Sequence, residues 1–115
     1  ALVEVAALDR IGKTTMHRLL VLYNEPTDPT HFRKYYVDVH VPLANTLPGL
    51  KSASYAFDVK PLGPGKAPYF CVFEADFESE AALISALGSK EGQAVAGDVP
   101  NYASGGVTMV HFPIG

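Results

Sequence analysis

The run Leu19-Leu20-Val21-Leu22-Tyr23 constrains the fold of this chain more than any other feature. Five consecutive apolar side chains, stopped by Asn24, Glu25 and Pro26, suit a short central strand, because successive strand side chains point to opposite faces of a sheet and here both faces are apolar. Tyr69 to Phe77 begins the same way, through Phe70, Cys71, Val72 and Phe73, and then alternates through Glu74 and Asp76. Gly105 and Gly106 open a third strand of this kind, Val107 to Phe112. Leu50 to Val59 differs: Ala53, Tyr55, Phe57 and Val59 lie on one side and Ser52, Ser54 and Asp58 on the other, as in a half-buried strand whose polar face is a candidate cavity wall. Pro61, Gly63, Pro64 and Gly65 make the turn-rich loop that follows it.

Two helical segments interrupt the strands. Asp28 to Pro48 starts with an N-cap aspartate and a proline at the first helical position. Phe32, Tyr36, Val39, Leu43 and Leu47 recur at three- and four-residue steps and predict one inward stripe, with His40 on its edge. Pro42 has no N–H for the carbonyl of Asp38, so a kink or loosening is expected there. Ser79 caps a second helix with Ala82, Leu83, Ala86 and Leu87 inward. Gly88 and Ser89 break it, further helical turns run around Gln93 to Asp98, and Pro100 ends them.

Strand, helix, strand, strand, helix, strand is the order of a ferredoxin-like βαββαβ α+β domain, an antiparallel sheet with both helices on one face. The other face then lacks a cover. Burying a side chain of leucine or phenylalanine size contributes about 1.5–3 kcal/mol, so a second copy packed sheet to sheet is expected, as a homodimer of the dimeric α+β barrel type. Residues 16–115 form that domain. Residues 1–15 read as an N-terminal extension ahead of Met16, and Glu4, Asp9 and Arg10 interrupt any secretory core there. A cytoplasmic location is expected.

The formal net charge of −3, with no cluster of Lys or Arg, removes the footprint of a nucleic-acid binder. No apolar run approaches the roughly 20 residues of a membrane helix. The single cysteine, Cys71, lies among Phe70, Val72 and Phe73 and reads as a small core residue.

Phe32-x-x-Tyr35-Tyr36-x-x-x-His40-x-Pro42-Leu43-Ala44, then Leu47-Pro48-Gly49-Leu50, form one motif block. Ser89-x-Glu91-Gly92-Gln93 and Asp98-x-Pro100-Asn101-Tyr102-Ala103-x-Gly105-Gly106-Val107-Thr108 form a second. Together, over Met16 to Phe112, they resemble the EthD-like family of dimeric α+β barrel proteins, whose name comes from bacterial degradation of ethyl tert-butyl ether. The resemblance implies a fold and dimer similar to those of muconolactone isomerases, polyketide cyclases and small haem-degrading monooxygenases. It also implies a small-molecule role in a catabolic or secondary-metabolite pathway.

His40 is the first candidate for chemistry, since imidazole changes charge near neutral pH and both accepts and donates a proton. Tyr36, one turn away, is its helper, either orienting the ring or donating to an oxyanion; a buried His40 satisfied by backbone or carboxylate is the competing reading. Tyr55, Asn101 and Tyr102 are candidate ligand-binding residues. His17 and His111 become neighbours if the first and last strands pair, yet two ligands fall short of a zinc site and no acidic or thiol partner follows from spacing, so no metal is expected. His31, in the first turn, is expected in solvent. Gly105 and Gly106 do not resemble a phosphate loop, and no hydrolase triad is recognisable.

These features point to a cofactor-independent enzyme of isomerase, cyclase or dehydratase type, with His40 moving protons on a small apolar or aromatic metabolite. Cofactor-free oxygen chemistry also suits the fold. The alternatives are a non-catalytic ligand-binding accessory protein of a degradation pathway, and haem binding through a histidine.

Overall fold

The apolar run forms most of strand β1 (Met16–Tyr23), where burial alternates: His17, Leu19, Val21 and Tyr23 are buried, and Arg18, Leu20 and Leu22 are half-buried on the other face. The computed structural model describes residues 16–115, so the extension expected over residues 1–15 lies outside the described residues. Strand β1 lies between β3 (Cys71–Phe77) and β4 (Val107–Ile114), and β2 (Ser52–Phe57) adds to the outer side of β3. Every neighbouring pair is antiparallel, and the order β2-β3-β1-β4 makes each helical crossover skip one strand. This is the expected ferredoxin-like α+β arrangement.

The first crossover carries α1 (Pro29–Tyr35), a π turn (Tyr36–His40) and α2 (Val41–Ala44). Asp28 caps α1 by accepting the His31 N–H at 3.0 Å. The loosening expected at Pro42 appears one residue earlier as the π turn, in which the Val41 N–H bonds the Tyr36 carbonyl five residues back. That extra residue changes which side chains face inward. Phe32, Tyr36, His40, Ala44 and Leu47 are buried, whereas Val39 is exposed and Leu43 only half-buried, contrary to the predicted stripe. A regular α-helix drifts with each four-residue step; the wider turn takes up the drift and rotates His40 from the edge of the stripe into the interior.

The second crossover contains α3 (Glu80–Gly88), capped by Ser79, and α4 (Lys90–Asp98), capped by Ser89. The Ser89 hydroxyl donates to the Ala86 carbonyl at 2.6 Å and accepts the Gly92 N–H at 3.0 Å, so one side chain closes one helix and opens the next. Gly92 is required at this junction, because a Cβ there would run into the backbone carbonyl of Ala86. Leu83 and Ala86 face the sheet as predicted, but Leu87 is exposed, since α3 ends at that turn and α4 takes over the covering. A short 3-10 turn, Val99–Asn101, then holds Pro100.

Beneath the helices lies a cluster of aromatic rings, with Phe32, Tyr36, Tyr23 and Tyr102 in edge-on or tilted contact at 5.0–5.6 Å, apart from the stacked pair Phe32 and Tyr36. Cys71 is fully buried, and burial pushes its thiol up to about 12, so it stays a protonated core residue. Strand β2 is exposed along most of its length rather than half-buried, because it lies at the sheet edge beyond the cover of α3, which packs on β1 and β3. Leu20, Leu22, Val72, Val110 and Phe112 lie on the sheet face away from the helices, beside an Arg18 guanidinium that grips the Asp76 carboxylate at 2.8 and 3.0 Å. No helix among the described residues is long and apolar enough to cross a membrane.

Candidate active site

The π turn delivers His40 to the inner end of α4, where it meets Asp98. The His40 Nδ1 lies 2.9 Å from one Asp98 carboxylate oxygen. The other oxygen accepts the Tyr35 hydroxyl at 2.5 Å and the Asn101 side-chain N–H at 2.9 Å. Three elements of different sequence position thus converge on one buried carboxylate.

Burial alone would push the Asp98 carboxyl up, but hydrogen bonds from Tyr35, His40 and Asn101 together outweigh it and hold its pKa below the usual carboxylate range. Asp98 is therefore ionised and accepts only, which assigns the proton of the pair to His40 Nδ1. Burial lowers the His40 pKa, and the Asp98 charge offsets only part of that, so the ring is neutral at neutral pH. Its proton-accepting atom is then Nε2. The His40 ring stacks on Tyr36 (5.4 Å, 22°) and leans on Tyr102 (4.6 Å), two contacts that fix its plane.

His40 also lines a cavity of ≈ 220 Å³ between sheet and helices. Leu19, Val21 and Phe73 form its floor; Leu47, Val95 and Val99 contribute to the walls. Tyr23 is there too, but its hydroxyl is bonded to that of Tyr102 at 2.7 Å. Among the described residues, His40 is the one ionisable wall group left free to exchange a proton with a guest near neutral pH.

The other predicted residues are distributed as follows. Tyr36 is fully buried and outside the cavity wall, and its hydroxyl is enclosed without a hydrogen-bond partner among the described residues; burial pushes its pKa far above the ordinary tyrosine value. Tyr102 packs on His40. Asn101 serves Asp98, and its carbonyl lies 3.1 Å from Nε2 of the exposed His31. Tyr55 stands apart on β2, exposed, in edge-on contact with Tyr36 and beside a different depression. His17 and His111 are neighbours, as the strand pairing requires, with ring nitrogens 2.8 Å apart.

Asp98 and Tyr35 were not among the residues singled out from sequence. The signal was nonetheless there, since Asp98 heads the block Asp98-x-Pro100-Asn101-Tyr102 and Tyr35 belongs to the first block. What no spacing revealed is that the two blocks meet.

The four-stranded antiparallel sheet with helices on one face is the ferredoxin-like α+β fold found in dimeric proteins, and here it holds a buried Asp–His pair beside an apolar cavity. The sequence model of the EthD domain matches residues 24–106, and the chain belongs to the EthD family. An uncharacterised 11.0 kDa protein of Rhodococcus erythropolis, from the thcB–thcC intergenic region, is 41% identical over 96 residues, covering 83% of this chain and 91% of that protein. An ethyl tert-butyl ether D (EthD) family protein from Bacillus halodurans superposes with a TM-score of 0.77 at 25% identity, over 84% of this chain and 96% of that one. A dimeric ferredoxin-like protein of unknown function from Thermobifida fusca shares the fold (TM-score 0.68, 17% identity, 88% and 92% covered). So does the hydroxynitrile lyase of Passiflora edulis (TM-score 0.68, 14% identity, 89% and 94% covered). The fold thus includes both enzymes and proteins with no assigned activity.

Proposed function

We propose that this chain is a cofactor-independent acid–base enzyme acting on a small apolar or aromatic metabolite, with His40 as the group that moves the proton. The observation that carries this reading is the Asp98–His40 pair at the wall of the apolar cavity. Neutral His40 takes a proton at Nε2 from a carbon or hydroxyl of the substrate, and Asp98 stabilises the imidazolium that forms. Returning that proton to a second atom of the substrate completes an isomerisation or cyclisation, and returning it to a departing hydroxyl completes a dehydration; none of these needs a redox partner. Tyr36 acts through its ring, which orients the imidazole, and Tyr35 and Asn101 hold Asp98. A cavity of ≈ 220 Å³ suits about one substituted ring, given that about 150 Å³ admits benzene.

The functional unit we infer is a homodimer joined through the sheet face bearing Leu20, Leu22, Val110 and Phe112. Dimerisation of a fold neighbour supports this, as does the apolar character of a face that no element among the described residues covers. A role in a degradation pathway is supported by membership of a family named after ether breakdown.

One observation favours a second reading, a ligand-binding accessory protein. Among the described residues the cavity wall beyond His40 is apolar apart from the Tyr23 hydroxyl, which is paired with that of Tyr102, so it lacks a set of donors converging on a developing negative charge. A thermal-shift screen of small aromatic acids, lactones, phenols and ethers on the wild type and His40→Gln separates the two. A ligand at 100 times its Kd adds about 2.7 kcal/mol of stability. Conversion of a hit by the wild type and not by His40→Gln supports the enzyme; stable binding without conversion, equal in both proteins, overturns it.

A further inference from the structure

Two histidines are too few for a metal site, but α3 supplies a third donor that spacing did not reveal. His17 on β1 and His111 on β4 approach with Nε2 and Nδ1 2.8 Å apart. Glu80, the first residue of α3, brings a carboxylate oxygen to the same place, and the three ligand atoms lie within 4.8 Å of one another. His17 is buried, so one donor is held by the core, while His111 and Glu80 reach the site from the surface. We propose that His17 Nε2, His111 Nδ1 and the Glu80 carboxylate form a binding site for a divalent transition-metal ion of the Zn²⁺ type, with a fourth position open to water.

The donor set selects the class of ion. Two imidazoles and one carboxylate are the ligands of three-residue zinc sites, whereas Ca²⁺ and Mg²⁺ call for six or more oxygen ligands, and the absence of a thiolate from the set disfavours softer ions. The geometry needs little rearrangement. At 2.8 Å the two rings share a hydrogen bond, and the ion takes the place of the proton between them. Ligand atoms about 2.0–2.1 Å from a tetrahedral ion stand about 3.3 Å apart, so the rings part by about half an ångström. Glu80 is exposed and swings in by side-chain rotation. The bound ion would tie the edge strand β4 to the central strand β1 and to the start of α3, three elements otherwise distant in sequence.

The test is titration of the full chain with Zn²⁺ in competition with a chromophoric chelator, together with the visible ligand-field spectrum of the Co²⁺-loaded protein. The wild type is expected to take up one equivalent of Zn²⁺ and to give a tetrahedral or five-coordinate Co²⁺ spectrum. His111→Ala and Glu80→Gln alter surface residues and leave the core untouched. Each is expected to lower Zn²⁺ affinity at least about tenfold, the lower limit for losing even an outer-shell partner, and the double variant to abolish binding. His31→Ala, which removes an exposed histidine outside the cluster, is expected to leave affinity unchanged. No saturable uptake by the wild type, or uptake undiminished in the double variant, would overturn the site.

Discussion

Asp98→Asn tests the centre of the site with one atom changed. The carboxylate accepts three donors, from His40, Tyr35 and Asn101. An asparagine offers one oxygen in their place and turns an N–H₂ toward the rest. Hydrogen bonds to a charged acceptor contribute about 1.5–3 kcal/mol each, and the Asn101 bond, at the surface, counts least. Losing one strong bond and weakening a second removes about 2–4 kcal/mol. For a domain of this size that lowers Tm by about 8–20 °C. The pH dependence gives an independent reading. Asp98 has a folded pKa below its unfolded value of about 3.9, so its contribution is complete above that pH and is lost as pH falls through the folded pKa. His40, also lowered when folded, binds protons more readily in the unfolded chain; its loss of stability begins as pH falls below about 6.5. Asp98→Asn removes the charge that partly offsets the His40 shift. The variant should therefore lose stability more steeply from pH 6.5 downward, and less steeply than wild type below about pH 4. Thermal unfolding by circular dichroism across pH 3–8 measures both, and long-range ¹H–¹⁵N spectra of the histidine rings report the tautomer. A Tm within a degree or two of wild type, or a wild-type His40 protonated on Nε2 alone, would refute the argument.

Two further outcomes follow from the packing. Tyr36→Phe deletes a buried hydroxyl that has no partner among the described residues, whose burial costs about 1–3 kcal/mol, so Tm should stay level or rise by a few degrees; a clear drop in the melting scan would mean that the hydroxyl has a partner or role of its own. Leu20→Glu places a charge in the middle of the apolar sheet face, and on the proposed interface size-exclusion chromatography with light scattering should find a monomer for the variant and twice that mass for the wild type; equal masses would dismiss that interface.

Legibility in the sequence varied with the range of the interaction involved. The caps Asp28, Ser79 and Ser89 act within one turn, and the first two were readable from local chemistry alone. Strand order followed from the two-faced run Leu19–Tyr23 and the alternation of helices and strands. The inner face of the first helix was not readable past Tyr36, because the π turn is a choice between i−4 and i−5 bonding that Pro42 merely permits. Packing against β1 and α4 makes that choice, and it exchanges Val39 for His40 in the interior.

The candidate site divides along the same line. Sequence by itself marked His40 as the candidate for proton chemistry and Asn101 and Tyr102 as candidate ligand-binding residues, and it carried the resemblance to the EthD family, because residue type and motif spacing hold those signals. Only the tertiary structure decided that Asp98 is the partner of His40, that the Tyr36 hydroxyl is sealed away from the cavity, and that Glu80 joins His17 and His111. The physical reason is that a hydrogen bond or a ligand set between elements distant in sequence, 58 residues for His40 and Asp98 and 94 for His17 and His111, is governed by how helices seat on the sheet. That seating is a sum over the whole core and leaves no mark in the local pattern of either partner.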